Sequence, residues 1–281
     1  MKFKEKPLDL DKILGKTRNQ IYRVGIELEG AWTNLPEGTL PTHDGSVVIQ
    51  PPPDPEFDKK YSAWSLAYRR HRDRGEYFAQ PEPQRTFRTG EIPSPPIEVE
   101  KVAPWMKQFY PQYVNETCGL HVHMSFKTAL QYQRLMTPAY PATIIEYFTA
   151  WAKNEKLKES HPLWERLSGK NRYCRHEFHA DQQVTSKKDH SQTRPGHRYT
   201  VVNYCYSVYQ GTMECRLLPM MDTPEQGIRA VQHVLDITNA FLVTYKAREE
   251  RAAAKVEADK PVREHRETTI YPERRSNRET F

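Results

Sequence analysis

Three stretches of the chain alternate apolar and polar residues and read as strands. In 21–29 (IYRVGIELE), Tyr22, Val24, Ile26 and Leu28 fall on one face, and Glu27 and Glu29 on the other. In 118–126 (CGLHVHMSF), Leu120, Val122, Met124 and Phe126 oppose His121, His123 and Ser125. In 211–218 (GTMECRLL), Met213, Cys215 and Leu217 oppose Thr212, Glu214 and Arg216. A fourth strand is expected over 201–208 (VVNYCYSV), joined to the third by a tight turn at Gln210-Gly211.

Helical patterns interrupt these strands. A surface helix is expected over 62–75, ending at Gly75, and another over 98–110 despite Pro104. Further helices are expected over 128–136 and 142–157, with Pro138 and Pro141 punctuating the gap. After the 211–218 strand comes a long amphipathic helix, with Ile228, Val231, Leu235, Thr238, Leu242 and Tyr245 at three- and four-residue spacing. Residues 36–60 and 79–96 are rich in proline and read as loops or edge segments. Residues 168–200 read as a long polar loop. Strands and helices follow one another irregularly rather than as strict βαβ units. The expected class is α+β, with a mainly antiparallel sheet backed by helices.

Composition narrows the function classes. The 281 residues carry 42 Lys+Arg against 36 Asp+Glu, a net charge of +6. That is a mild bias rather than a polybasic arm, so nucleic acid is not indicated, although it is not excluded. No run reaches the roughly 18 apolar residues that would span a membrane. The N-terminal MKFKEKPLDLDKILGK has no apolar core of a secretory signal, so a cytoplasmic location is expected. Cys118, Cys174, Cys205 and Cys215 form no C-x-x-C pair and are expected as reduced thiols. GxGxxG and GxxxxGK[ST] are absent, which disfavours Rossmann and P-loop nucleotide sites. Residues 1–20 read as a lead-in. Residues 246–281, with 10 Lys/Arg and 8 Asp/Glu, read as a solvated helix end and tail.

The polar strand faces hold the candidate chemistry. Glu27 and Glu29, two residues apart, stand roughly 6.5–7 Å apart along a strand. That spacing suits two neighbouring ions better than one shared ion. E-x-E, H-x-H and E-x-R are each commonplace on solvent-facing strands. Together in one sheet, they would bring Glu, His and Arg onto a single concave surface. Carboxylates with one imidazole per ion suit Mg²⁺ or Mn²⁺. A hydrolytic zinc site would concentrate His and Cys, and the HExxH spacing is missing around His176 and His179.

In order along the chain stand VGIELE, HDGS, EIPSPPI, CGLHVHMSF, RY-x-x-x-N and GTMECR. This series resembles the amidoligase family, part of the glutamine synthetase and glutamate–cysteine ligase superfamily of carboxylate–amine ligases. The resemblance runs from about Tyr22 to about Asp236. It implies a catalytic domain over 21–245 whose antiparallel sheet binds ATP and two or three Mg²⁺ or Mn²⁺ on its concave face. It also implies ATP-driven amide or isopeptide formation from a small-molecule or peptide carboxylate and an amine. By that resemblance Glu27, His121 and Glu214 hold one ion, and Glu29 and Glu91 another. His123 lies near the phosphates and Arg216 contacts the γ-phosphate. Arg172 and Arg198 are further clamps for phosphate or carboxylate, and Asn203 orients a substrate or braces the site. Asp44 binds or deprotonates the amine, or only caps a turn. Glu98 competes with Glu91 as a ligand, because the intervening prolines blur the alternation. The sequence has Cys215 where the family has Phe, on the apolar face. A phosphotransferase of the same fold, a metal-dependent hydrolase or nuclease, and a non-catalytic binding module are the competing readings.

Overall fold

The sheet is built in the order β2-β1-β3-β5-β4, with every neighbouring pair antiparallel. Its strands are β1 (Ile21–Trp32), β2 (Arg88–Pro93), β3 (Gly119–Phe126), β4 (Val202–Asn203) and β5 (Met213–Pro219). The computed structural model describes residues 20–180, 196–208 and 210–258. Residues 1–19 of the expected lead-in, the 181–195 part of the polar loop and the tail beyond 258 lie outside the described residues. Among those described, six α-helices accompany the sheet, so the architecture is α+β. They are α1 (Pro55–Asp73), α2 (Val99–Phe109), α3 (Ala129–Leu135), α4 (Ala139–Asn154), α5 (Pro162–Leu167) and α6 (Pro224–Ala258). The chain separates into two compact units, 1–244 and 245–281, and the sheet lies in the first. None of the described helices is long and apolar enough to cross a membrane.

Alternation places the core. Val24, Ile26 and Leu28 of β1, Leu120, Val122 and Met124 of β3, and Met213, Cys215 and Leu217 of β5 are all buried. Tyr140, Ile144 and Phe148 of α4 are buried too, as are Val231, Val234, Leu235 and Thr238 of α6. The two helices meet where the Tyr140 and Phe241 rings pack edge-on at 5.3 Å. Thr238 Oγ1 lies 2.6 Å from the Tyr140 hydroxyl and contacts Met124 Sδ at 3.4 Å. A core face of Val, Ile, Leu and Met covered by helices leaves the opposite face for polar chemistry. All four cysteines are free and buried, Cys215 fully.

Several elements depart from the sequence pattern. Tyr22 is turned outward, 52% exposed, because a bulge between Ile21 and Arg23 breaks the alternation. The helix expected from residue 62 begins at Pro55. Proline fits the first helical turn, and the Asp54 side chain caps it by accepting from Phe57 N at 2.9 Å. Helix α4 starts at Ala139, with Pro141 in its first turn, so that proline sits inside the helix rather than in the gap. The strand expected over 201–208 shrinks to Val202–Asn203, and the next residues turn. The proline-rich 79–96 segment supplies β2, an edge strand ending at Pro93. Helix α5 falls in a stretch without a sequence signal strong enough to assign it.

Candidate functional site

Register decides which polar side chains meet. Glu29 lies opposite Glu91, Glu27 opposite His121, His123 opposite Glu214, and Glu214 opposite Asn203. Opposed residues share a sheet face. One row of ligating groups therefore crosses all five strands on the side away from the helical core. Glu27 and Glu29 fall into different trios. Glu27, His121 and Glu214 each offer one ligand atom within 4.8 Å of the others, and so do Glu29, Asp44 and Glu91.

His121 is the hinge between the trios. Its Nδ1 lies 3.0 Å from Glu27 Oε2 and 3.4 Å from Glu214 Oε1, and its Nε2 lies 3.8 Å from Glu29 Oε1. Glu29 is buried and accepts a hydrogen bond from Gly119 N at 2.5 Å. His123 Nε2 stands 2.9 Å from Glu27 Oε1. Glu214 is buried and paired with Arg216 through its Oε1, while Asn203 Nδ2 donates to its Oε2 at 2.8 Å. Asn203 in turn accepts from Cys205 N at 2.9 Å, which fixes the amide that braces Glu214.

The electrostatics follow from crowding. Burial alone would raise Glu27, but His123 and His121 beside it hold its carboxyl well below the usual range. Burial opposes the charged form of Glu214 as well, and Arg216 outweighs it. Glu91 has no such partner. Burial, together with Glu27, Glu29, Asp44 and Glu214, pushes it up to about 8. Burial pulls His123 down, yet Glu27 carries it up to about 9. Five carboxylates around one imidazole hinge form a set that a divalent cation would relieve. Oxygen-rich trios with a single imidazole fit Mg²⁺ or Mn²⁺.

The trios open into a cavity of about 710 Å³. Its lining also includes His43, Arg166, Arg198, Arg216, Tyr173 and Tyr199. Arg198 sits on a short 3-10 turn, Gly196–Arg198, stacked 4.7 Å over the Tyr199 ring and donating to its hydroxyl at 3.1 Å. Arg216 lies 5.7 Å over the same ring. A smaller pocket of about 330 Å³ adjoins, sharing Glu27, His123 and Gln210 and walled by Gly25, Ile26, Pro93 and Pro96.

Two expectations are corrected here. Arg172 does not line the cavity. It is exposed, with its guanidinium 4.6 Å over Tyr173, the ring that does face inward. Glu98 joins neither trio. It forms ion pairs with Arg23 at 3.0 Å and Lys101 at 3.6 Å at the start of α2, away from both trios. Asp44 has the turn role suggested for it and adds a place that was not expected. It accepts from Ser46 N and Oγ, each at 2.7 Å, as a turn residue, and its carboxylate also joins Glu29 and Glu91. The loop reaches β2 because Thr42 and Glu91 exchange backbone hydrogen bonds of 2.8 and 2.9 Å. Gly90 makes this possible. Its φ is +146°, and a Cβ there would stand 2.2 Å from Thr42 O. Arg166 went unnoticed in the sequence, although Leu163, Arg166 and Leu167 share helical spacing and so one buried face.

At Gly119 the backbone is crowded by the candidate ligands themselves. A Cβ there would lie 2.5 Å from His121 Nε2 and 3.1 Å from Glu29 Oε2. Gly119→Ala is therefore expected to displace both ligands, costing about 1–3 kcal/mol of stability and weakening divalent-cation binding. Chemical denaturation and Mn²⁺ titration of the same sample would check this. An alanine variant that binds Mn²⁺ as the wild type does would contradict the packing argument.

Comparison of the chain with protein-family models, with curated proteins and with solved structures returns no match.

Proposed function

We propose that this protein is an ATP-dependent carboxylate–amine ligase that forms an amide or isopeptide bond through an acyl phosphate. The observation that carries this reading is the pair of adjoining trios, Glu27/His121/Glu214 and Glu29/Asp44/Glu91, in one cavity with Arg198 and Arg216. The ordered motifs that resemble the amidoligase family support it, as does a sheet whose core face is separate from this polar face.

In this reading the two trios would hold two divalent cations. Bound there, such ions would supply positive charge against the phosphate groups. The chain's own groups do the rest. Arg216, kept charged by Glu214, faces the transferring phosphoryl group, whose charge grows on its equatorial oxygens. His123, held protonated by Glu27, lies on the smaller pocket's side and would contact the phosphates as a cation. The apolar walls of that pocket, Gly25, Ile26, Pro93 and Pro96, would take the flat nucleotide base. Arg198, on the side of Tyr199, would receive the substrate carboxylate.

The γ-phosphoryl group passes to a carboxylate oxygen and ADP leaves. The amine nitrogen then attacks the acyl carbon, the C–O bond to phosphate breaks, and the amine proton passes to a nearby base or to water. Purified protein with Mg²⁺ and ATP is expected to release ADP and phosphate in a one-to-one ratio, dependent on both a carboxylate and an amine. Screening such pairs by coupled ADP detection checks this. ATP consumed with only one of the two present, leaving a stable phosphorylated product, would support the phosphotransferase reading instead. Stoichiometric zinc with no nucleotide binding would remove the ligase reading.

A further inference from the structure

The β3–β5 ladder slips register between Leu120 and Val122, which leaves Arg216 and Leu217 together opposite His121. A bulge of this kind takes backbone groups out of the ladder and re-aims the side chains it carries. Both orphaned groups of Arg216 find partners outside the β3–β5 pair. Its N–H donates to Val201 O at 2.9 Å. Its carbonyl accepts from Arg166 Nη1 at 2.9 Å.

The other arm of the same guanidinium, Nη2, reaches the Cys118 carbonyl at 3.4 Å. Cys118 immediately precedes Gly119, whose N–H holds Glu29. One planar fork thus ties the strand of Glu214 and Arg216 to the segment that fixes Glu29 and leads into His121. Arg166 is only 3% exposed, its Nη donors go to carbonyls rather than to a carboxylate, and its Nε has no hydrogen-bond partner among the described residues. Burying a guanidinium without a paired anion is costly, and an apolar residue of similar volume would avoid that cost. A fork spanning two carbonyls is what lysine or methionine cannot reproduce.

We propose that Arg166 is a positioning residue. It locks the β5 bulge so that His121, Glu214 and Glu29 converge on the cation sites and Arg216 points into the cavity. It acts through the backbone, by way of the Arg216 and Cys118 carbonyls that its guanidinium holds. The proposal rests on the metal-site part of the reading above.

The test uses full-length Arg166→Lys and Arg166→Gln, with Mn²⁺ alone as the probe. Lysine keeps the charge but loses the planar fork, and glutamine keeps one planar donor group without charge. Both variants are expected to melt cooperatively, with free Mn²⁺ measured by electron paramagnetic resonance showing an affinity about 10–100-fold below wild type, the range typical of groups that orient metal ligands. A purely structural role would lower the melting temperature while leaving the Mn²⁺ affinity of the folded protein unchanged. That result in both variants overturns the proposal, and so does failure of both to fold. Wild-type protein that takes up no Mn²⁺ would remove the metal site and Arg166's role with it. Wild-type protein that binds Mn²⁺ but not ATP would remove only the ligase reading, and the Arg166 measurement would still decide its own question.

Discussion

Glu27→Gln is expected to abolish turnover and to lower Mn²⁺ affinity by more than about 100-fold, beyond the loss typical of groups that merely orient ligands. Glu27 is the carboxylate on which the site converges. It lies against His121 at 3.0 Å and His123 at 2.9 Å, and it belongs to the trio with Glu214. Glutamine keeps the shape and one acceptor oxygen but removes the charge. The change relieves Glu91 by taking one like charge out of a crowded acidic cluster, but it also removes the partner that holds His123 protonated, so part of the fold's stability goes with it. Cooperative melting at a lowered temperature is therefore expected together with lost activity. Glu214→Gln is a poorer probe. It would strand the buried Arg216 guanidinium, a loss of about 3–5 kcal/mol, and so mix stability with chemistry. Wild-type turnover in Glu27→Gln would take Glu27 out of the metal site.

The metal-free protein should lose stability as pH rises from about 6.5 to about 9, and Mg²⁺ should restore it. His123 binds its proton more tightly in the folded chain, with a value near 9 against 6.5. The stability it contributes is complete below 6.5 and disappears as pH climbs through 9, a change on the order of 3 kcal/mol. Glu91 acts in the same direction. Its folded value near 8 exceeds the ordinary 4.5, so stability falls across that interval as the unfolded chain ionises first. Glu27 and Glu214 are lowered, so their contributions are present above 4.5 and vanish only as pH falls further. The metal-free optimum thus lies between about 4.5 and 6.5. Divalent cations compete with protons for the same groups, so their stabilising effect should grow with pH. Melting curves at several pH values, with chelator and with Mg²⁺, test this. A chelated profile that is flat from pH 6.5 to 9 would show that His123 and Glu91 do not sit in the environment described.

The parts of the fold legible in the sequence are those governed by period. Strands β1, β3 and β5 show clean alternation, so their core and ligand faces follow from spacing alone. The separation of Glu27 from Glu29 could also be read, because two residues along a strand is a fixed distance. What spacing does not encode is register across strands. The choice between Glu91 and Glu98 needed the pairing of Glu29 with Glu91 and the salt bridge that occupies Glu98. Bulges escaped for the same reason. One extra residue at Arg216-Leu217, or at Tyr22, leaves the hydrophobic pattern nearly intact while changing where side chains point. Asp44 and Arg166 depend on contacts between segments far apart in sequence. Arg172 misled because an arginine beside tyrosines in a polar loop looks the same whether it faces a cavity or solvent.

The Thr42–Glu91 pairing that brings Asp44 to β2 has one more consequence. The Glu27/His121/Glu214 trio is strand-borne throughout, so its ligands hold their places with nothing bound. The second trio borrows its third carboxylate from a connecting loop, and its own Glu91 prefers to stay protonated near neutral pH. The two positions would therefore fill in order. The strand-borne one would be a resident site, and the loop-borne one would fill only when enough charge arrives to displace the proton from Glu91. Such a hierarchy would tie the readiness of the second cation to the arrival of the anionic substrate that it serves.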